Sequence, residues 1–145
     1  MPTRDATTHW TGSLQDGFGH VTLDSSKAGE YDVSFPRRAA DTAEGTTSPE
    51  ELIAAAHSSC LAMNMSGVLA GEGLTADSID VTAKVSLGQD SANGGFKISI
   101  ALTMQAAISG LDEAKFQELA ATAEETCPVS KALSATERTF TATLV

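Results

Sequence analysis

The residues with the most chemistry in this chain are its two cysteines, Cys60 and Cys127. A cysteine reacts as the thiolate. With 9 Lys and Arg against 19 Asp and Glu, the formal charge is -10, and the average field opposes that ionisation. A local cation has to offset it. At about 4 Å and an effective dielectric near 20, one cation is worth at most roughly 4 kcal/mol, or about three pK units. The densest basic pair, Arg37 and Arg38, lies in an irregular stretch before the first helical pattern and supplies the candidates. The plain alternative is a solvated charge pair. Glu50 is the natural group to hold such an arginine by a bidentate contact, against the plainer role of a helix N-terminal acid.

The two cysteines are too few and too far apart for a zinc knuckle or a disulfide framework. In a reducing compartment such a pair is either redox-active or simply packed as small hydrophobes. His57 precedes Cys60 by three residues, the spacing of a Cys-His pair on one helix face. No orienting third group accompanies it, so His57 is expected to be a hydrogen-bonded packing residue. His9 and His20 share no ligand spacing with it, and no metal is expected.

The element that must position Cys60 runs from Ser48 to Gly71. Ser48, Pro49 and Glu51 form a helix start with an S-x-x-E capping box, and no residue from Leu52 to Gly71 carries a formal charge. Such a helix is expected to be enclosed on most sides. It is long enough for a membrane, but His57, Asn64 and three serines, flanked by acidic residues, argue against one. Its small residues suit close helix packing, including against the same helix of a second subunit. Glu50 and Cys60 are ten residues apart, which is about 15 Å of helical rise. If both serve one site, Glu50 reaches it from an antiparallel partner helix at a dimer interface.

Before this helix, alternating residues Trp10, Gly12 and Leu14, then Val21 and Leu23, then Tyr31, Val33 and Phe35 predict three short strands. The stretch 36–47 is expected to be a loop. After the helix, Gly71 and Gly73 give the stop signal. Ile79 to Leu87 and Phe96 to Ala106 then alternate around Asn93-Gly94-Gly95, predicting a long hairpin with one wet face. Asp112 caps a second helix with Phe116, Leu119, Ala120 and Ala123 on one face. Pro128 opens a short helical turn, so Cys127 falls at a cap where exposed amides favour a thiolate. A final strand turns Phe140, Ala142 and Leu144 inward. The order predicts one α+β domain over residues 1–145 with antiparallel sheet.

The acidic balance excludes nucleic acid and anionic membrane as favoured partners. The N-terminus has no apolar run of a signal peptide, which predicts a cytoplasmic protein.

SPEELIAAAHSSC and TCPVSKAL, separated as they are here, resemble the OsmC/Ohr family of thiol-dependent peroxidases, and the AAH and CPVS segments resemble the OsmC branch. The likeness runs from about His9 to the C-terminus. It implies antiparallel sheets wrapped around a long central helix in an intertwined homodimer, and reduction of organic hydroperoxides without metal or flavin. Cys60 would be the peroxidatic thiolate and Cys127 the resolving thiol, their disulfide being reduced by an external dithiol. Glu50 matches the first Glu of the family's PEE motif. The arginine matches Arg38, followed by Ala39, better than Arg37, although the stretch from Arg38 to Ser48 is longer than the family pattern. An apolar pocket would select organic peroxides, with Ile53, Leu61, Met65 and inward hairpin residues as candidate linings. Two other classes compete: a Cys-His thiol hydrolase using Cys60 and His57, and a non-enzymatic stress or ligand-binding protein in which the cysteines only pack.

Overall fold

Ser48 starts the longest helix as its sequence requires. Its hydroxyl accepts from the Glu51 N–H at 3.2 Å, Pro49 takes the first helical position, and α2 runs unbroken over Pro49–Gly71. The capping box is only half closed, because the Glu51 carboxylate accepts from the Thr47 hydroxyl at 2.7 Å. The computed structural model describes residues 2–145, which form two compact units divided within α2, 2–52 and 53–145.

In the first unit β1 (Thr7–Thr11), β2 (Phe18–Thr22) and β3 (Glu30–Val33) form an antiparallel sheet in that order. The turn between β1 and β2 requires Gly17, since a Cβ there would stand 2.3 Å from the Ser13 carbonyl oxygen. Leu14 lies in that turn and not in a strand. The stretch expected to be wholly loop begins with a helical turn, α1 (Phe35–Arg38), because Ser34 caps it and Pro36 sits at its start.

In the second unit β4 (Ser78–Gln89) and β5 (Phe96–Ala107) form the long antiparallel hairpin, with Gly94 and Gly95 both at φ 77 in its turn. Phe96 is 63% exposed at the tip, outside the inward set to which its alternation assigned it. Helices α3 (Glu113–Thr126) and α4 (Pro128–Ala132) follow, then β6 (Glu137–Leu144). β6 pairs parallel with β5, against the all-antiparallel expectation. The two intervening helices form a crossover that returns the chain to the starting end of β5, where a hairpin would have reversed it.

The core of this unit packs Leu61, Met65 and Leu69 of α2 against Ile100, Leu102 and Met104 of β5 and Phe116 and Ala120 of α3. Burying Phe116 alone stabilises the fold by roughly 1.5–3 kcal/mol. Past Gly71, α2 closes on Gly73 at φ 72, with Leu74 N–H bonded to Leu69 C=O at 2.9 Å and Gly73 N–H to Ala70 C=O at 3.1 Å. That left-handed cap lets Leu74 fold back over Leu69. The helix is not enclosed on most sides within the chain. Ala55, Ser59, Met63, Ser66, Gly67 and Ala70, spaced as one helical face, are all exposed, Met63 at 68%.

Candidate functional site

Cys60 lies in the middle of α2, one turn after His57 and one turn before Asn64, so all three share a face. Facing them is the corner between α3 and α4. Pro128 disfavours the helical conformation in the residue before it, and Cys127 accordingly sits at φ -57, ψ 123, ending α3 and starting α4. The two sulfurs meet there at 3.4 Å, with the Cys127 thiol donating to Cys60. Cys127 is fully buried, Cys60 partly so, and both are free thiols.

The first usable amide of α4 belongs to Val129, because Pro128 has none, and its dipole favours the Cys60 thiolate. The capping amide thus serves Cys60, not the cysteine that occupies the cap. Burial pushes the Cys60 thiol above its ordinary pKa, the Val129 N–H pulls it back, and repulsion from the adjacent Cys127 sulfur pushes it up again, for a net rise. Two sulfurs in contact share at most one charge. None of these groups from residues 53–145 is a cation.

His57 is wholly buried, and its Nε2 lies 2.9 Å from the Ser130 hydroxyl, the packing role expected of it. Its Nδ1 has no partner among the described residues. Burial, then the nearby Arg138 charge, holds its pKa below the ordinary value, against a smaller upward pull from Glu124. On the other side of Cys60, the Asn64 amide donates to the Ala123 carbonyl at 2.7 Å and to the Thr126 hydroxyl at 2.8 Å. Sequence reasoning missed Asn64, Ser130 and Val129. It also missed Arg138, whose Nε bonds Glu124 at 2.6 Å while its Nη1 donates to the Ser130 and Leu133 carbonyls. No local pattern marks these residues, since Asn64, Ser130 and Val129 act on partners distant in sequence and Arg138 on groups that only the folded α3–α4 corner brings to it.

In the first unit the two arginines separate. Arg38 grips Glu50 with a fork, Nη2 to Oε1 at 2.6 Å and Nε to both carboxylate oxygens at 3.1 Å. Arg37 pairs with Glu44 on the surface at 2.7 Å. Burial pushes the Glu50 carboxyl up, but the Arg38 hydrogen bonds and charge prevail and hold it below the usual range. The same contact holds the Arg38 guanidinium above its ordinary value. Beside Arg38 an apolar cavity of about 210 Å³ is lined by Trp10, Leu14, Val33, Phe35 and Pro49. The expected linings Leu61 and Met65 are buried in the core and unavailable to a ligand. Among the described residues, no cluster of three His, Cys, Asp or Glu is disposed to hold a metal ion.

The fold and site define, as a class, an α+β protein whose two cysteine sulfurs lie in contact. Residues 41–142 match the OsmC-like protein family, and the chain belongs to it. It is 40% identical over 128 residues to peroxiredoxin OsmC of Escherichia coli strain K12, covering 88% of this chain and 87% of that one. The organic hydroperoxide resistance protein OhrB of Bacillus subtilis strain 168 is 35% identical over 114 residues, 79% of this chain and 80% of that one. The crystal structure of OhrB from Bacillus subtilis superposes with a TM-score of 0.75 at 29% identity, covering 99% of this chain and 98% of that one.

Proposed function

We propose that the chain is a cysteine-based peroxidase that reduces organic hydroperoxides to alcohols. The observation that carries this reading is the 3.4 Å approach of two free sulfurs, one partly exposed and one buried. The Cys60 thiolate attacks the terminal peroxide oxygen: an S–O bond forms, the O–O bond breaks, and the alkoxide takes a proton to leave as alcohol. Cys127 sulfur then attacks the sulfenic sulfur. The S–S bond forms, hydroxide leaves with the thiol proton as water, and an external dithiol reduces the disulfide while becoming one itself.

Arg38, oriented by Glu50, is the cation that stabilises the Cys60 thiolate. Because α2 is continuous, ten residues from Glu50 to Cys60 rise about 15 Å, so Arg38 serves the Cys60 of a second subunit. The uncharged open face of α2 is the surface that the two copies share. The cavity beside Arg38 takes the organic group, and its apolar lining favours organic hydroperoxides over hydrogen peroxide. A cysteine pair that cycles between dithiol and disulfide suits a reducing compartment such as the cytoplasm. The hydrolase reading is disfavoured because the His57 ring bonds Ser130, while Cys60 bonds Cys127.

One equivalent of cumene hydroperoxide is expected to remove two thiols per chain and leave a Cys60–Cys127 disulfide, read by thiol titration and peptide mass spectrometry. Cys127→Ser is expected to oxidise once and stop at sulfenic acid. No loss of thiols on peroxide treatment, or full turnover by Cys127→Ser, overturns the reading.

A further inference from the structure

The hydrogen bonds flanking the two sulfurs share one register. Three residues along α2 from His57 lead to Cys60, and three back from Ser130, its partner, lead to Cys127. Four more along α2 lead to Asn64, and four more back lead to Ala123, whose carbonyl Asn64 holds. The α3–α4 corner thus lies antiparallel along α2, pinned one turn to each side of the sulfur pair.

Both pins are polar groups set at the core. His57 and Ser130 are at most 1% exposed, and Ala123, whose carbonyl is used, is fully buried. Buried polar groups are costly unless paired, so each pin resists a slip of the corner along α2. The Asn64 amide spends both hydrogens on the end of α3, one on Ala123 and one on Thr126. Arg138 adds a third tie, on the Ser130 and Leu133 carbonyls, at the far side of α4.

We infer that the His57–Ser130 and Asn64–Ala123/Thr126 bonds form a two-point clamp that sets the rate and equilibrium of Cys60–Cys127 bond closure. The inference rests on the peroxidase reading and assigns His57, Ser130 and Asn64 as positioning residues that act through the cysteines. From 3.4 Å the sulfurs must approach to about 2.05 Å, a movement within the reach of side-chain rotation if the two backbones keep their register. An ångström of misplacement in such a step costs on the order of a hundredfold in rate. During closure Cys127 forms the S–S bond as the Cys60 S–O bond breaks, and water carries away the oxygen and the thiol proton. The clamp takes no part in that exchange. It fixes the direction from which Cys127 sulfur arrives.

The test follows a single turnover with cumene hydroperoxide in full-length Asn64→Ala, Ser130→Ala and the double variant. Sulfenic acid is trapped with dimedone, and disulfide is counted by mass spectrometry. First oxidation is expected within about threefold of wild type, with closure slowed roughly tenfold in each single variant and further in the double. Equilibration with glutathione is expected to show a disulfide about tenfold easier to reduce, a shift of about 30 mV. His57→Gln, which keeps a hydrogen-bonding group near the position of Nε2, is expected to restore near-normal closure. Thr126→Val, at an exposed position, removes one acceptor without disturbing the core and is expected to slow closure about threefold even if the buried variants fold poorly. Closure within twofold of wild type in Thr126→Val and Asn64→Ala overturns the clamp, as does an equal loss in both steps. A wild-type chain that never closes the bond overturns the peroxidase reading instead.

Discussion

At the scale of single residues, the question is how a thiol that burial makes reluctant to ionise becomes reactive at neutral pH. The Val129 amide helps, yet the net effect of residues 53–145 leaves the Cys60 pKa raised. On the proposed reading a guanidinium supplies the difference, and Arg38 is the candidate because Glu50 holds it by two nitrogens, whereas Arg37 pairs with an exposed partner. Alkylation of Cys60 by iodoacetamide at pH 7, with Cys127 replaced by Ser, measures the thiolate. Arg38→Met is expected to slow it about 10- to 100-fold, within the limit set by a single cation at contact distance, and to move its pH profile upward. Arg37→Met is expected to change it less than twofold. Lysine at position 38 keeps the charge but loses the fork, so an intermediate rate is expected. A profile unmoved by Arg38→Met would remove the guanidinium from the thiolate's surroundings.

At the scale of elements, the packing of α2 against α4 contains a neutral histidine and so should carry a pH signature. Burial and the Arg138 charge depress the folded pKa of His57, with Glu124 pulling the other way. Unfolded chains therefore bind the extra proton first as pH falls below about 6.5, and stability drops from there until the folded pKa is passed. His20 acts with the opposite sign. The Asp32 carboxylate, with Glu30, raises its pKa, so its contribution is present at low pH and fades as pH rises through the raised value. Comparing wild type with His57→Gln isolates the buried group. The variant is expected to show a flatter decline in denaturant midpoint between pH 7 and 5, and an unchanged slope would mean that His57 protonates without penalty. These elements differed in how far they could be read beforehand. The α2 start, the β4–β5 turn and the buried face of α3 rest on local signals: Ser48-Pro49, Asn93-Gly94-Gly95, and the spacing of Phe116, Leu119, Ala120 and Ala123. The candidate site was legible as residue types, since Cys60, Cys127, Arg38 and Glu50 stand out by charge and chemistry, and the structure pairs Cys60 with Cys127 and Arg38 with Glu50. Its register was not, because Asn64 to Ala123 and His57 to Ser130 are pairings across more than fifty residues that only the folded core selects. The parallel placement of β6 escaped for the same reason, as alternation gives a strand's faces and not its direction.

At the scale of the molecule, the proposed second copy of the chain rests on the open face of α2 and on the ten residues of helical rise between Glu50 and Cys60. Leaving an uncharged stripe with Met63 at its centre in water is unfavourable, and the small residues around it allow another helix to approach closely. Gly67 offers a clean probe of that surface. A Cβ there meets nothing within 4 Å in the chain, and replacing a mid-helix glycine by arginine should stabilise an isolated α2 by roughly 0.5–1 kcal/mol. Gly67→Arg is therefore expected to fold as well as wild type while placing a long charged side chain in the shared face. Sedimentation should give wild type twice the 14.9 kDa chain mass and the variant the chain mass alone at micromolar concentration. If Arg38 reaches Cys60 only across that face, peroxide turnover and Cys60 alkylation should both fall to the level of Arg38→Met. Mixing an Arg38→Met chain with a Cys60→Ser chain should then restore part of the activity that neither has alone, because one of the two sites in the mixed dimer brings an intact Arg38 to an intact Cys60. A monomeric Gly67→Arg that turns over peroxide at the wild-type rate would place cation and sulfur within one chain and confine the second copy to covering the helix.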